Sequence, residues 1–178
     1  FGIRELFAEV TAFIQKDLNM NTASVYLHEA GEYNHEKLLA ATLKLCSLNF
    51  STIKLSNLVA LSPNIFHRVV TSPHLKCDSE TLSLRVASYC RCRPSSISRE
   101  MLLSMTTPEL VPRVAPDEAL FLISVLVQLG MTPDNRDTED DNGTKENTRG
   151  PTLYDRCVKA SAGTVRHAVQ ETSSRRAA

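Results

Sequence analysis

Residues 3–18 read IRELFAEVTAFIQKDL and set Ile3, Leu6, Phe7, Val10, Phe13 and Ile14 at intervals of three and four. That spacing is the apolar stripe of an amphipathic helix, with Arg4, Glu5, Glu9, Gln15 and Lys16 on its other face. Asn19 and Asn21 interrupt it. Asn21 can cap a second helix whose apolar positions are Val25, Tyr26 and Leu27, so the spacing predicts a short antiparallel hairpin. Gly31 is expected to close the second helix. Asn34 is expected to cap a third, in which Leu38, Leu39, Thr42, Leu45 and Cys46 repeat the period.

Further along, residues 51–63 hold Ile53, Leu55, Leu58, Val59 and Leu61 among Ser, Asn and Pro, which predicts one or two short helices. Pro63 suits the first turn of another, carrying Ile65, Phe66, Val69 and Val70. Asp78, Ser79 and Glu80 form a capping cluster ahead of a helix with Leu82, Val86, Tyr89 and Cys90 on one face, ending near Pro94. Ser96 or Ser98 starts the next, with Ile97, Met101, Leu102 and Met105 inward. A short helix capped by Thr106 and Thr107 is expected through Leu110 and Val111, stopped by Pro112. Pro116 then opens a helix running to Gly130 that is apolar on nearly every side, which predicts a central place with Leu120, Phe121, Leu126 and Leu129 deeply buried.

Residues 132–150 contain no aliphatic side chain and are rich in Asp, Asn, Thr, Glu and Gly, a composition that cannot bury enough surface to offset the entropy of ordering. Leu153, Tyr154, Cys157, Val158, Ser161, Val165 and Ala168 restore a helical period that is expected to dock through Tyr154, Cys157, Val158 and Val165. The fold class so predicted is all-α, a bundle of antiparallel helix hairpins. Its expected parts are a helix pair over 1–33, a helical domain over 34–130, an acidic mobile loop over 131–151, a C-terminal helix over 152–171 and a frayed tail over 172–178.

The 178 residues carry 20 basic and 20 acidic side chains, so no net charge favours nucleic acid. Arg85, Arg91 and Arg93 are interrupted by Cys and Tyr and form no continuous stripe, which reads as a solvated helix end. No run approaches the ~18 apolar residues of a membrane span. The chain opens on Phe1 in mid-pattern, without an initiator Met or a secretory signal, and is expected to be a piece of a longer polypeptide.

Five cysteines, at 46, 77, 90, 92 and 157, show no disulfide framework or zinc spacing, which predicts reduced thiols, a cytoplasmic or nuclear location and no metal. The six glycines form neither a phosphate loop nor a dinucleotide fingerprint, and no Gly-x-Ser-x-Gly elbow occurs. The five histidines are scattered over different helices. No enzyme, cofactor or catalytic residue is therefore predicted.

The order of elements resembles a known family. Ile3-Arg4-Glu5-Leu6 through Phe13-Ile14-Gln15-Lys16-Asp17-Leu18 is similar to the helix that follows a BTB fold, and Asn21, Val25, Leu27, Ala30 and Tyr33 resemble the second helix of that family's 3-box. Leu38-Leu39, Cys46, Asn49-Phe50, Leu58, Leu61, Ile65, Val69, Ser72, Leu75, Ser79 and Glu80 are similar in register to a BACK domain. The resemblance covers residues 1–130. It departs where the family carries a Trp, here Tyr89 or Cys90, and an Arg-Phe pair, here Met105-Thr106.

The resemblance implies an adaptor: an upstream BTB domain that dimerises, a cullin scaffold engaged beside the 3-box, and a substrate positioned for a cullin-RING ubiquitin ligase. The alternative is a structural or cytoskeletal scaffold using the same helices without ubiquitin transfer. Ile3, Phe7, Phe13, Tyr26 and Leu27 are the expected partner-binding residues, since a helix pair with bulky apolar side chains can line a groove for a partner's helix or arm.

Overall fold

Apolar spacing becomes helix along most of the chain. The computed structural model describes residues 2–33, 35–94, 96–131 and 151–163, and among these every regular element is helical. The elements are α1 (Ile3–Asp17), α2 (Ala23–Glu32), α3 (Glu36–Leu48), a 3-10 turn (Phe50–Thr52), α4 (Leu55–Ala60), α5 (Pro63–Val70), α6 (Ser79–Cys92), α7 (Arg99–Met105) and α8 (Pro116–Gln128). A further helix covers residues 153–163. No described helix is long and apolar enough to cross a membrane. The chain divides into two compact units, Phe1–Cys77 and Asp78–Ala178, a boundary inside the span that the sequence treats as one helical domain.

In the first unit α2 packs chiefly on α3 and also meets α4 and α5. Its inward residues are Ala23, Ser24, Leu27 and Ala30. α1 is held more loosely: it has no fully buried residue, Thr11, Ile14 and Asp17 being half-buried, and Tyr26 of α2 bonds to its Asp17. Gly31 does not end α2, which continues to Glu32. A Cβ there would fall 2.3 Å from Ile65 Cδ1, so the missing side chain lets α5 approach. Phe50 and Phe66, both fully buried, lie 6.3 Å apart between ring centroids with their planes tilted by 48°, and tie the turn after α3 to α5.

Buried hydroxyls fix the register between these helices. Ser47 Oγ donates to Val69 O at 3.1 Å, joining α3 to α5, and Asn57 Nδ2 donates to Ser24 Oγ at 2.9 Å, joining α4 to α2. Thr22 occupies the start of α2 where Asn21 was expected, with no side-chain cap. Asn34 lies outside the described residues, and His35 caps α3, its Nδ1 accepting from Leu38 N at 3.1 Å. Pro63 takes the first turn of α5, as expected.

In the second unit Asp78 caps α6, its Oδ1 accepting from Thr81 N at 2.8 Å. Those backbone and side-chain bonds from Thr81 hold the carboxyl below its usual range. Leu82, Val86, Tyr89 and Cys90 are all buried on one face of α6, as the spacing predicts. Ser98 caps α7, accepting from Met101 N at 3.2 Å. Residues 107–111 make a single turn instead of the expected helix. Val111 N donates to Thr107 O at 2.9 Å, and the stretch between Pro108 and Pro112 is too short to propagate a helix.

Pro116 opens α8, and Ala115 N just before it donates to buried Ser83 Oγ of α6 at 2.8 Å. Gly130, at φ 76°, ends it, with Met131 N donating to Leu126 O at 2.9 Å. The central placement of α8 is corrected. Its buried side chains are Glu118, Ala119, Leu122 and Leu126, whereas Leu120 is 69% exposed and Phe121 and Leu129 are half-buried. A helix apolar all round does not itself reveal which face is packed.

The helix at 153–163 buries Leu153, Arg156 and Cys157, while Val158 is exposed and Tyr154 half-buried. Val165, Ala168, the acidic segment 132–150 and the tail 172–178 lie outside the described residues. Arg156 was not among the expected docking residues. Its guanidinium donates to Thr106 O at 2.6 Å and to Val111 O, and shares Thr107 O, at 3.4 Å, with Val111 N, so that one side chain serves the carbonyls where α7 ends. Desolvation lowers its pKa from the ordinary value.

Leu126 and Leu120 separate the packed face of α8 from the open one. Leu126→Ala should destabilise the protein by about 2–5 kcal/mol, as large-to-small core changes do. Leu120→Ala should stay within about 0.5 kcal/mol, as exposed positions do. Equal losses of melting temperature in the two variants would show that both faces of α8 are packed.

Candidate functional site

Phe7, Val10 and Ile14 of the α1 stripe, with Leu18 just after it, line an open groove of about 330 Å³ whose far side is built by Tyr26, Ala30 and Leu38, among others. The groove belongs to the first unit. Its apolar walls follow from the helical period: the residues facing it in α1 recur at intervals of three and four.

The turn between α1 and α2 holds one end of the groove. Tyr26 OH donates to Asp17 Oδ2 at 2.7 Å, and Thr22 Oγ1 donates to Asp17 O at 2.9 Å. Asn19 braces the same turn, donating from Nδ2 to Asp17 O at 2.7 Å and accepting at Oδ1 from Asn21 N at 2.9 Å. Asn19 and Asn21 thus end one helix as the sequence implies, but by turn bonds and not by a cap on α2. At the other end the Phe7 ring stacks on His35, 5.4 Å between centroids and 22° between planes.

Of the five residues expected to bind a partner, Ile3, Phe7 and Phe13 are 88%, 58% and 65% exposed on α1. Tyr26 is half-buried at the groove wall, its hydroxyl engaged by Asp17. Leu27 departs from the expectation: it is wholly buried in the first unit and presents nothing to a partner. Tyr26 and Leu27 are neighbours in sequence, and the helical step of about 100° turns one toward the groove and the other into the core. Groove-lining Val10, Ile14, Leu18 and Leu38 were not singled out as partner-binding, although the first two sit on the α1 stripe that the sequence displays.

Burial pushes the thiol of Cys46 up to about 12 and those of Cys90 and Cys157 up to about 11. Burial likewise pushes the Tyr89 phenol up to about 12. Among the described residues no three His, Cys, Asp or Glu side chains gather as metal ligands would. Comparison with known protein families, with curated proteins and with solved structures returns no match for this chain.

The hydrogen bond from Tyr26 to Asp17, with desolvation and the carboxylate's charge adding to it, raises the phenol above its ordinary 10.0. A raised acid pKa means that the tie is fully present below the unfolded value and is lost as pH climbs through the folded one. Carbon NMR of the Tyr26 ring through an alkaline titration should give a midpoint above 10.0 that falls in Asp17→Asn. A midpoint indifferent to Asp17→Asn would mean that the two side chains are not joined in solution.

Proposed function

We propose that this chain is a non-enzymatic adaptor segment that uses α1 and the adjoining groove to hold a protein partner, in the manner of the 3-box and BACK regions that it resembles. On this reading the partner at α1 is a cullin scaffold, the remaining helices orient a substrate for ubiquitin transfer, and a BTB domain elsewhere in the polypeptide supplies dimerisation. A cytoplasmic or nuclear setting goes with it.

The observation that carries the reading is the exposed apolar side of α1. Ile3, Leu6, Phe7, Val10 and Phe13 recur on a helix of 15 residues and none of them is buried. A contiguous apolar patch on a folded surface marks an interaction site, since leaving it in water costs roughly 25 cal/mol per Å². Helix-in-groove recognition needs such anchors at this spacing. The buried thiols of Cys46, Cys90 and Cys157, pushed up by desolvation, support the non-enzymatic half for those three positions, because a nucleophilic cysteine needs its pKa lowered.

Titrating the full-length protein against a cullin N-terminal domain tests the proposal. Saturable association is expected, weakened about tenfold or more by Phe7→Ala or Phe13→Ala, since truncating an aromatic anchor costs on the order of 2 kcal/mol. Absence of association, or association indifferent to both substitutions, contradicts the cullin role.

A further inference from the structure

Residues 91–96 read RCRPSS, so that Ser96 follows Arg93 by three positions and Arg91 by five. No other Ser or Thr of the 178 has a Lys or Arg at both of those distances. Arg68 precedes Thr71 and Arg85 precedes Ser88 by three, but Thr71 and Ser88 are half-buried and neither has the second basic residue. The interrupted arginine run, a poor fit to a nucleic-acid backbone, thus has a regular relation to one hydroxyl.

The structure puts that hydroxyl within reach. Ser96 and Pro94 are exposed, and the segment from Arg93 to Ser98 lies between α6 and α7. Arg93 sits at φ −136° and ψ 63° and Ser98 at φ −78° and ψ 163°, so the backbone on either side of Ser96 has already left the helical conformation. Pro94 keeps the helix from continuing. Ser96 N donates to Arg93 O at 3.2 Å, a single turn bond that an extended binding mode would exchange for bonds to an enzyme. That mode also unwinds the last turn of α6 at Arg91 and Cys92, both exposed.

Arg91 lies in the last turn of α6, its side chain half exposed. It meets Glu118 at 2.5 Å and stacks over Phe121, 4.3 Å from the ring centroid. Its guanidinium is therefore already selected for a carboxylate partner, and it can trade one carboxylate for another of suitable geometry.

We propose that Ser96 is a phosphorylation site for a protein kinase with an acidic substrate groove, whose carboxylates receive Arg93 and Arg91. Ser96 Oγ attacks the γ-phosphorus of ATP. The new bond joins Ser96 Oγ to phosphorus, the bond from that phosphorus to the β–γ bridging oxygen breaks, ADP departs, and the hydroxyl proton passes to the kinase's catalytic carboxylate. The product is a phosphate monoester of roughly −1.5 to −2 charge at neutral pH.

The test is incubation of the whole chain with a purified arginine-directed Ser/Thr protein kinase and Mg-ATP, followed by mapping of the phosphate by mass spectrometry. The kinase is first shown to be active on a standard basic peptide, so that a blank result counts. Phosphate should map to Ser96 and vanish in Ser96→Ala, which removes only an exposed hydroxyl. Arg93→Ala and Arg91→Ala, each checked for native helicity by circular dichroism, should lower kcat/KM about tenfold or more, as loss of a charge-assisted contact does. Phosphate on Ser95 or elsewhere, no incorporation, or rates unchanged in Arg93→Ala would overturn the proposal.

Discussion

The tilted packing of the buried Phe50 and Phe66 rings is the contact on which the first unit turns. It brings the residue that follows α3 against the middle of α5, and both rings are excluded from water. Around it Leu27, Leu58, Leu61, Val69 and Val70 are also buried completely, each contributing on the order of 1.5–3 kcal/mol of transfer free energy. Gly31 keeps α2 compatible with this arrangement by leaving space for Ile65. The core so formed draws nothing from α1, which has no buried residue. The apolar stripe of α1 is thus left over by the packing, and its availability to a partner follows from that.

Polar groups at core positions supply specificity that apolar packing alone lacks. Ser47 and Ser24 each bridge two helices of the first unit, and Ser83 holds the start of α8 to α6 in the second. Arg156 extends the same logic with a charge, donating to three carbonyls at the end of α7 and in the following turn. Leaving such groups without partners would cost about 1–3 kcal/mol apiece, so a shifted register is penalised more than a loss of apolar area suggests. Among the described side chains no buried polar atom is unsatisfied.

Helical class, the α6 face and the Pro63 and Pro116 starts were legible because each rests on local rules: period, capping and the fixed φ of proline. The packed side of α8 was not, since its composition is apolar on several sides and only the neighbours decide which side is covered. Gly31 reads as a terminator by composition, but its role is a close approach by a residue 34 positions later, which no local pattern encodes. Arg156 was invisible for a similar reason: a charge flanked by Leu153 and Cys157 looks solvent-facing until the carbonyls that it serves are located. Within the candidate site the α1 residues were legible from their stripe. Leu27 was not, because adjacent bulky residues on one helix turn to different surroundings.

Native-state hydrogen exchange of the chain by itself examines the central claim most directly, that α1 is presented by the fold and not built into its core. Amides of α1 should exchange through local opening, far faster than those of α2, α3 and α5, whose exchange should require unfolding of the unit. Protection of α1 equal to that of α3 would contradict the account, because it would mean that the apolar side of α1 is already held by the fold and is not open to a partner.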